Sequence, residues 1–304
     1  MKANASFLKS KIVLGTAQFG HAYGIANTKG QILRKEVFDI LDYAQDVGIH
    51  SLDTAFDYGN SESVIGEYIN EKGKDFHIIS KLPSRKNHSD ESVTDILKKS
   101  LASLKRKNLY GYLVHRFNDF LTEETLWEEM IQLKDQGVVE KVGFSLYYPE
   151  ELEVLLRRRV DFNMVQVPYS IFDRRFEKYF DLLKAQGVDI YVRSIFLQGL
   201  VFLDPAELQG PLCKAKKQIE ILRRFSQNHD LAISAICLNY ILSNPRVDKA
   251  VIGVDGLDHF KSNIMGLELF DEVKGLKDEC NDLVIEDETI LIPSKWNMAH
   301  ENRS

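Results

Sequence analysis

Four side chains in the first half of the sequence have the types and spacing for acid–base chemistry. Asp53 closes the apolar run Ile49 to Asp53, and Tyr58 follows five residues later in the loop Thr54-Ala55-Phe56-Asp57-Tyr58-Gly59-Asn60. Lys81 and His115 stand at the ends of two further apolar runs, Phe76 to Ser80 and Tyr110 to Val114. A free phenol, with a pKa of about 10, is a poor acid for a neutral carbonyl. An ammonium beside it stabilises the phenolate and lowers that value. A carboxylate holds the ammonium in place and charged, and an imidazole can hydrogen-bond the phenol or the carbonyl and orient the substrate. Together these groups describe a tyrosine that gives a proton to a carbonyl oxygen as hydride arrives at carbon. Each residue alone is more readily structural. A strand-end lysine is nevertheless expensive to bury without a partner, and joint occurrence on three successive strands favours chemistry.

The elements that must position these groups are legible as alternation. Short apolar runs at Lys11 to Thr16, Ile49 to Asp53, Phe76 to Ser80, Tyr110 to Val114, Val139 to Ser145, Phe162 to Val167, Val188 to Ser194 and Ala250 to Ile252 read as strands. Amphipathic stretches separate them: Val37 to Val47, Ser61 to Asn70, Ser92 to Lys105, Leu126 to Gln136, Glu150 to Arg157, Arg174 to Ala185, Lys216 to Gln227, Ser234 to Leu242 and Leu257 to Leu267. Ser61-Glu62-Ser63-Val64 offers a hydroxyl cap and a first-turn acid. Eight strand–helix units imply parallel strands with right-handed crossovers, and at this length an α/β fold closed as a (β/α)8 TIM barrel. We expect a single domain over residues 1–304, with a core of about 11–268 and an acidic tail, 269–304, that packs back through Ile290 to Trp296. The polar loop Gln18 to Gln31 follows the first strand and so belongs at the C-terminal rim, where barrels keep their active sites.

Composition narrows the function classes. The 304 residues carry a net charge of −6 with no basic block, which argues against nucleic acid as a partner. No run is long and apolar enough for a membrane span, and Met1 to Ser6 has no apolar signal core behind it. Three scattered cysteines form no CxxC or Cys/His cluster, which fits a reducing cytoplasm and gives no metal site.

With these residues in place, the chain resembles an aldo-keto reductase. Gly15-Thr16, the run Asp53-Thr54-Ala55 to Tyr58-Gly59 and Ser61-Glu62, Ser80-Lys81, Leu113-Val114-His115-Arg116, Gly143-Phe144-Ser145, Gln166 with Tyr169, and Val251 to Asn263 match that family's motifs in order. The resemblance implies a barrel without a Rossmann domain, NADP(H) or NAD(H) as cofactor, and a small-molecule carbonyl substrate. It points to a bacterial-type, short-loop branch with an open cleft, and a sugar-like carbonyl is one candidate. It leaves the oligomeric state open. It places the nicotinamide carboxamide against Ser145 and Gln166, both able to bond an amide, although Leu146 stands where an asparagine is usual. Arg193 occupies the place of an aromatic ring under the nicotinamide; it can stack there or pair with an acid. Ser194, Phe196 and Gln198 fall along the pyrophosphate, and Asn263 matches the adenine contact.

The departure from the pattern is Gly253-Val254-Asp255-Gly256. Basic residues that clamp a 2′-phosphate in NADP-specific relatives are absent, and Asp255 repels a dianion. Only His259 and Lys261 stand near to compensate. A carboxylate beside the ribose can instead take a free 2′-hydroxyl, so we expect NADH to be accepted well. The aromatic residues Phe19, Tyr23, Phe56, Phe117 and Tyr147 are candidates for a substrate wall, with core packing the alternative for Phe56 and Phe117. Three rival readings remain. Tyr68 to Lys72 matches a Tyr-x-x-x-Lys pair, but no glycine-rich loop of the right spacing follows the first strand. A phosphate-binding lyase or isomerase barrel would need the opposite charge at Asp255. A regulatory subunit of the same fold, with little turnover, would keep all four acid–base residues.

Overall fold

The structure, a computed structural model, describes residues 4–123 and 125–299. Met1-Lys2-Ala3 and the last five residues of the tail therefore lie outside the described residues. Eight parallel strands form a closed barrel in sequence order: β1 (Ile12–Gly15), β2 (Ser51–Asp53), β3 (His77–Leu82), β4 (Leu109–Val114), β5 (Val139–Ser145), β6 (Met164–Pro168), β7 (Asp189–Arg193) and β8 (Lys249–Ile252). The single-domain (β/α)8 architecture expected from the sequence is the one observed. Strands covered on both faces read as continuous apolar runs, as these do.

The barrel interior explains the placement of the polar residues. Val13, Ile79, Leu113, Met164, Tyr191 and Val251 form their own buried cluster, separate from the large core between strands and helices. Side chains alternate faces along a strand, so the residue two positions on points the same way. Two beyond each of these lie Gly15, Lys81, His115, Gln166, Arg193 and Gly253. The strand pairs Gly15 with Asp53, Lys81 with Leu113, Ser145 with Gln166, and Pro168 with Arg193 carry the ring around the C-terminal rim.

Several boundaries differ from the sequence reading. Lys81 lies inside β3 rather than after it. The first long helix begins earlier, Arg34–Asp46. The stretch Arg174 to Ala185 divides into a turn, Glu177–Tyr179, and a short helix, Phe180–Ala185. There Arg175 is bound to Asp173 and to Glu288 of the tail, and Arg174 donates to the Cys280 carbonyl. In the tail, Ile290, Leu291 and Ile292 are buried, and Trp296 Nε1 donates to the Ile290 carbonyl at 2.8 Å. Tyr68 of the Tyr-x-x-x-Lys pair is fully buried and bonds Asp42 at 2.9 Å.

Ser61 is not a helix cap. Asn60 takes the cap position, and the Ser61 hydroxyl lies 2.8 Å from Thr16 Oγ1 and 3.2 Å from Thr54 Oγ1. This buried hydroxyl cluster pins the helix Ser61–Lys72 to the ends of β1 and β2, which fixes the loop between them. The loop is also held from behind. A Cβ on Gly20 would lie 1.6 Å from the Tyr58 carbonyl oxygen, and one on Gly59, at φ +55°, would lie 2.4 Å from the Gly20 carbonyl oxygen. Only two glycines allow that backbone contact. Gly20→Ala is therefore expected to lower stability by about 2–4 kcal/mol, because backbone rather than a flexible side chain must move. Urea denaturation measures this, and an unchanged midpoint would show that the contact is not tight.

Candidate active site

Asp53, Tyr58, Lys81 and His115 come together at the rim. Lys81 is 1% exposed, and its ammonium lies 2.7 Å from both Asp53 oxygens, 2.9 Å from the Thr54 carbonyl and 3.5 Å from the Tyr58 hydroxyl. An ammonium has three protons, so with one shared between the two Asp53 oxygens and one on the Thr54 carbonyl, the third is left for the phenol oxygen. The phenol's own proton is then free to face the cavity. Gln166 Nε2 also donates to Asp53 Oδ1, at 2.7 Å, and helps to hold the carboxylate.

The electrostatics correct one expectation. Burial first, and the charge of Asp53 second, push the Tyr58 phenol above its ordinary value. Asp53, paired with the Lys81 ammonium at 2.7 Å, counters its charge. Burial also lowers the Lys81 pKa, with Asp53 opposing. His115 is held well below the usual imidazole range by burial, then by the positive charges of Lys81, Arg116 and Arg193. Its Nδ1, 3.9 Å from Asp57, is buried without a hydrogen-bond partner. A neutral imidazole makes that contact a polar one rather than an ion pair. The ring stands edge-on to Tyr58 at 6.1 Å.

A cavity of about 420 Å³ opens beside this cluster and runs from Tyr58 to the start of the helix Leu257–Met265. It is lined by Gly15 and Thr16 of the first motif and by the ten residues read as a cofactor site: Ser145, Gln166, Arg193, Ser194, Phe196, Gln198, Gly253, Asp255, His259 and Asn263. The polar groups fit a ligand. Asn263 is buried with an amide that bonds no other described residue, and so is the Ser145 hydroxyl. Gln166, with its nitrogen committed to Asp53, offers its carbonyl oxygen. Two loops roof the cavity: Ile25 N–H donates to the Gln198 carbonyl, and Gln198 Nε2 to the Tyr23 hydroxyl, both at 2.9 Å. Ser194, Leu197 and Gln198 hold positive φ of 61°, 45° and 52°, strain that a plain connector does not require.

A family model described as the aldo/keto reductase family matches residues 11–281. The chain belongs to the aldo-keto reductase family. It is 25% identical over 253 residues, 76% of this chain and 82% of the relative, to an uncharacterized oxidoreductase, YqkF, of Bacillus subtilis (strain 168). It is 26% identical over 274 residues, 77% of this chain and 79% of the relative, to a putative voltage-gated potassium channel subunit beta of Schizosaccharomyces pombe. The solved holo form of the aldo-keto reductase AKR11C1 from Bacillus halodurans shares the fold, with a TM-score of 0.72, 22% identity, and coverage of 91% of this chain and 94% of that one.

In this aldo-keto reductase the far end of the cavity carries acids. Asp255 accepts from Gln18 Nε2 at 3.4 Å and lies 3.7 Å from His259 Nδ1. Glu36, on the helix Arg34–Asp46, accepts the Leu257 N–H at 3.0 Å. That N–H opens the helix Leu257–Met265, where a helix dipole welcomes an anion, and the chain's own carboxylate already occupies the place. Lys261, the expected compensating cation, turns instead to the Tyr43 ring, 5.7 Å from its centroid.

Three of the five aromatic candidates do not line this cavity, and for Phe56 and Phe117 the alternative of core packing applies. Phe19 is 1% exposed in the short helix Ala17–Gly20 and belongs to the core. Phe56 is partly buried against the core and meets the His88 ring at 5.3 Å. Phe117 opens the helix Phe117–Thr122 and packs on Phe120 and Phe144. Tyr23 and Tyr147 do line the cavity. Sequence reasoning missed Gln18, Asn27, Ser234 and Ser262, which also line it, and Glu36. Gln18 and Asn27 fall in the rim loop already singled out. Glu36 carries no local signal, since only the fold brings it to residue 257. Among the described residues no group of three His, Cys, Asp or Glu side chains could hold a metal ion, and no helix is long and apolar enough to cross a membrane.

Proposed function

We propose that this protein reduces an aldehyde or ketone to an alcohol with NADH or NADPH, with Tyr58 as the proton donor. The arrangement of Lys81 between Asp53 and the Tyr58 hydroxyl, beside a cavity lined by unbonded polar groups, carries the reading. The bound cofactor supplies the hydride. Tyr58 holds the proton for the carbonyl oxygen, and Lys81 steadies the phenol oxygen as that proton leaves. His115, neutral, donates a hydrogen bond that orients the carbonyl. Ser145, the Gln166 carbonyl oxygen and Asn263 are the groups that would bind the cofactor's amide and base ends. The two roof loops exclude water.

The carboxylates of Asp255 and Glu36 favour a free ribose hydroxyl over a phosphate, which supports NADH as a good cofactor. The three cysteines are free thiols, which suits a protein of the cytoplasm. The reading is tested by screening carbonyl compounds with both reduced cofactors, with Tyr58→Phe as the blank. The Schizosaccharomyces pombe relative keeps a second reading open, a regulator that binds cofactor with little turnover; tight cofactor binding without Tyr58-dependent reduction would select it.

The two shifted groups also set the pH response. His115 is neutral throughout because its proton affinity is lowered, and Tyr58 stays protonated because its own is raised. The turnover number for reduction should therefore be level from about pH 6 to about pH 9, with no step in the ordinary imidazole range. A step near about pH 6.5 would show that His115 titrates there.

A further inference from the structure

Arg193 brings to the reaction centre a positive charge that no ion pair among the described residues cancels, Glu151 being the acid that feels it. It closes β7 on the inner face, two residues beyond Tyr191 of the barrel interior, and lines the cavity with Tyr58. Its guanidinium lies over the Tyr147 ring, 4.1 Å from the centroid. Nη2 donates to the Leu146 carbonyl at 2.8 Å and Nη1 to Ser194 Oγ at 3.2 Å. All three partners are neutral, and among the described residues Arg193 forms no ion pair. Lys81 differs, since Asp53 cancels its charge at 2.7 Å. The nearby acids are otherwise engaged: Glu151 accepts the backbone N–H groups of Tyr147 and Tyr148, and Asp57 stands beside His115. Arg193 is felt at Tyr58, Lys81 and His115 alike.

We infer that Arg193 makes the site bind the reduced nicotinamide cofactor more tightly than the oxidised one, and so sets the working direction toward carbonyl reduction. This rests on the reading of the site as a nicotinamide-dependent carbonyl reductase. In that reaction a hydride goes with its electron pair onto the carbonyl carbon. The Tyr58 proton goes onto the oxygen, the C=O π bond is lost, and one positive charge stays on the ring that gave the hydride. A ring placed to reach a carbonyl hydrogen-bonded to Tyr58 is close enough to feel the guanidinium. Before transfer that ring is neutral, and a guanidinium plane tolerates or stacks on it. After transfer two positive charges face each other where water is scarce, and repulsion is strong at low dielectric.

Titrating the purified chain with NADH and NAD+ by calorimetry tests this without a substrate. Wild type is expected to bind NADH about tenfold or more tightly than NAD+. Arg193→Met should bring that ratio toward unity, and Arg193→Lys, which keeps the charge, should preserve most of it. Circular dichroism and thermal melting establish that both variants fold. An Arg193→Met ratio equal to that of wild type overturns the inference, as does an Arg193→Lys variant that behaves like Met. Failure of wild type to bind either cofactor would instead defeat the reading of the site itself.

Discussion

Tyr58→Phe is expected to cut carbonyl reduction by about 10³-fold or more while leaving cofactor affinity within about twofold, because it removes the transferable proton and little else. Single-turnover kinetics beside a cofactor titration separate the two quantities. Retained turnover would assign the proton to another group, with His115 next in line. Lys81→Met should lower turnover by about 10²-fold or more. It also strips Asp53 of its buried counter-ion, which typically destabilises by about 3–5 kcal/mol, so loss of activity alone is ambiguous. Asp53→Asn combined with Lys81→Met resolves this. The pair buries no charge and keeps Gln166 as a neighbour of residue 53, so it should regain stability without regaining turnover. A double variant as active as wild type would remove the ammonium from the mechanism.

The second large effect concerns the cofactor's ribose. Wild type is expected to bind NADH at least as tightly as NADPH, since Glu36 already takes the first N–H of the helix and Asp255 lines the same end of the cavity. Like charges about 6–15 Å apart at an effective dielectric of about 20 repel by about 1–3 kcal/mol. Removing both with Glu36→Gln and Asp255→Asn should therefore strengthen NADPH binding about tenfold to a hundredfold and change NADH little. Fluorescence titration measures each. A wild type that binds NADPH a hundredfold more tightly than NADH would show that neither carboxylate opposes the phosphate.

Much of the site was legible because barrel strands obey a period of two. Once Ile79, Leu113, Met164 and Tyr191 are read as inward-facing, Lys81, His115, Gln166 and Arg193 must face the same way one step higher. What failed depends on distances between loops. Nothing in the sequence near Phe19 or Phe117 says whether a rim aromatic turns into the cavity or into the packing beneath it. The upward shift of the Tyr58 phenol follows from burial, which no local pattern reports. Glu36 is separated from its partner Leu257 by nearly the whole barrel in sequence, and only closure of β8 against β1 unites them.

The segment after β1 serves two tasks. Its helix Ala17–Gly20 backs the loop of Tyr58 through the Gly20–Gly59 contact, and the residues just beyond it, Tyr23 to Asn27, meet the β7 loop above the cavity. Selection for a new substrate acts on such coverings, yet here the covering is spliced to the mount of the acid. Variation can enter freely from the β7 side of that seam. From the β1 side it must arrive with matching changes at residues 58–60, so exchange of this segment between homologous enzymes should succeed only as a joint transplant.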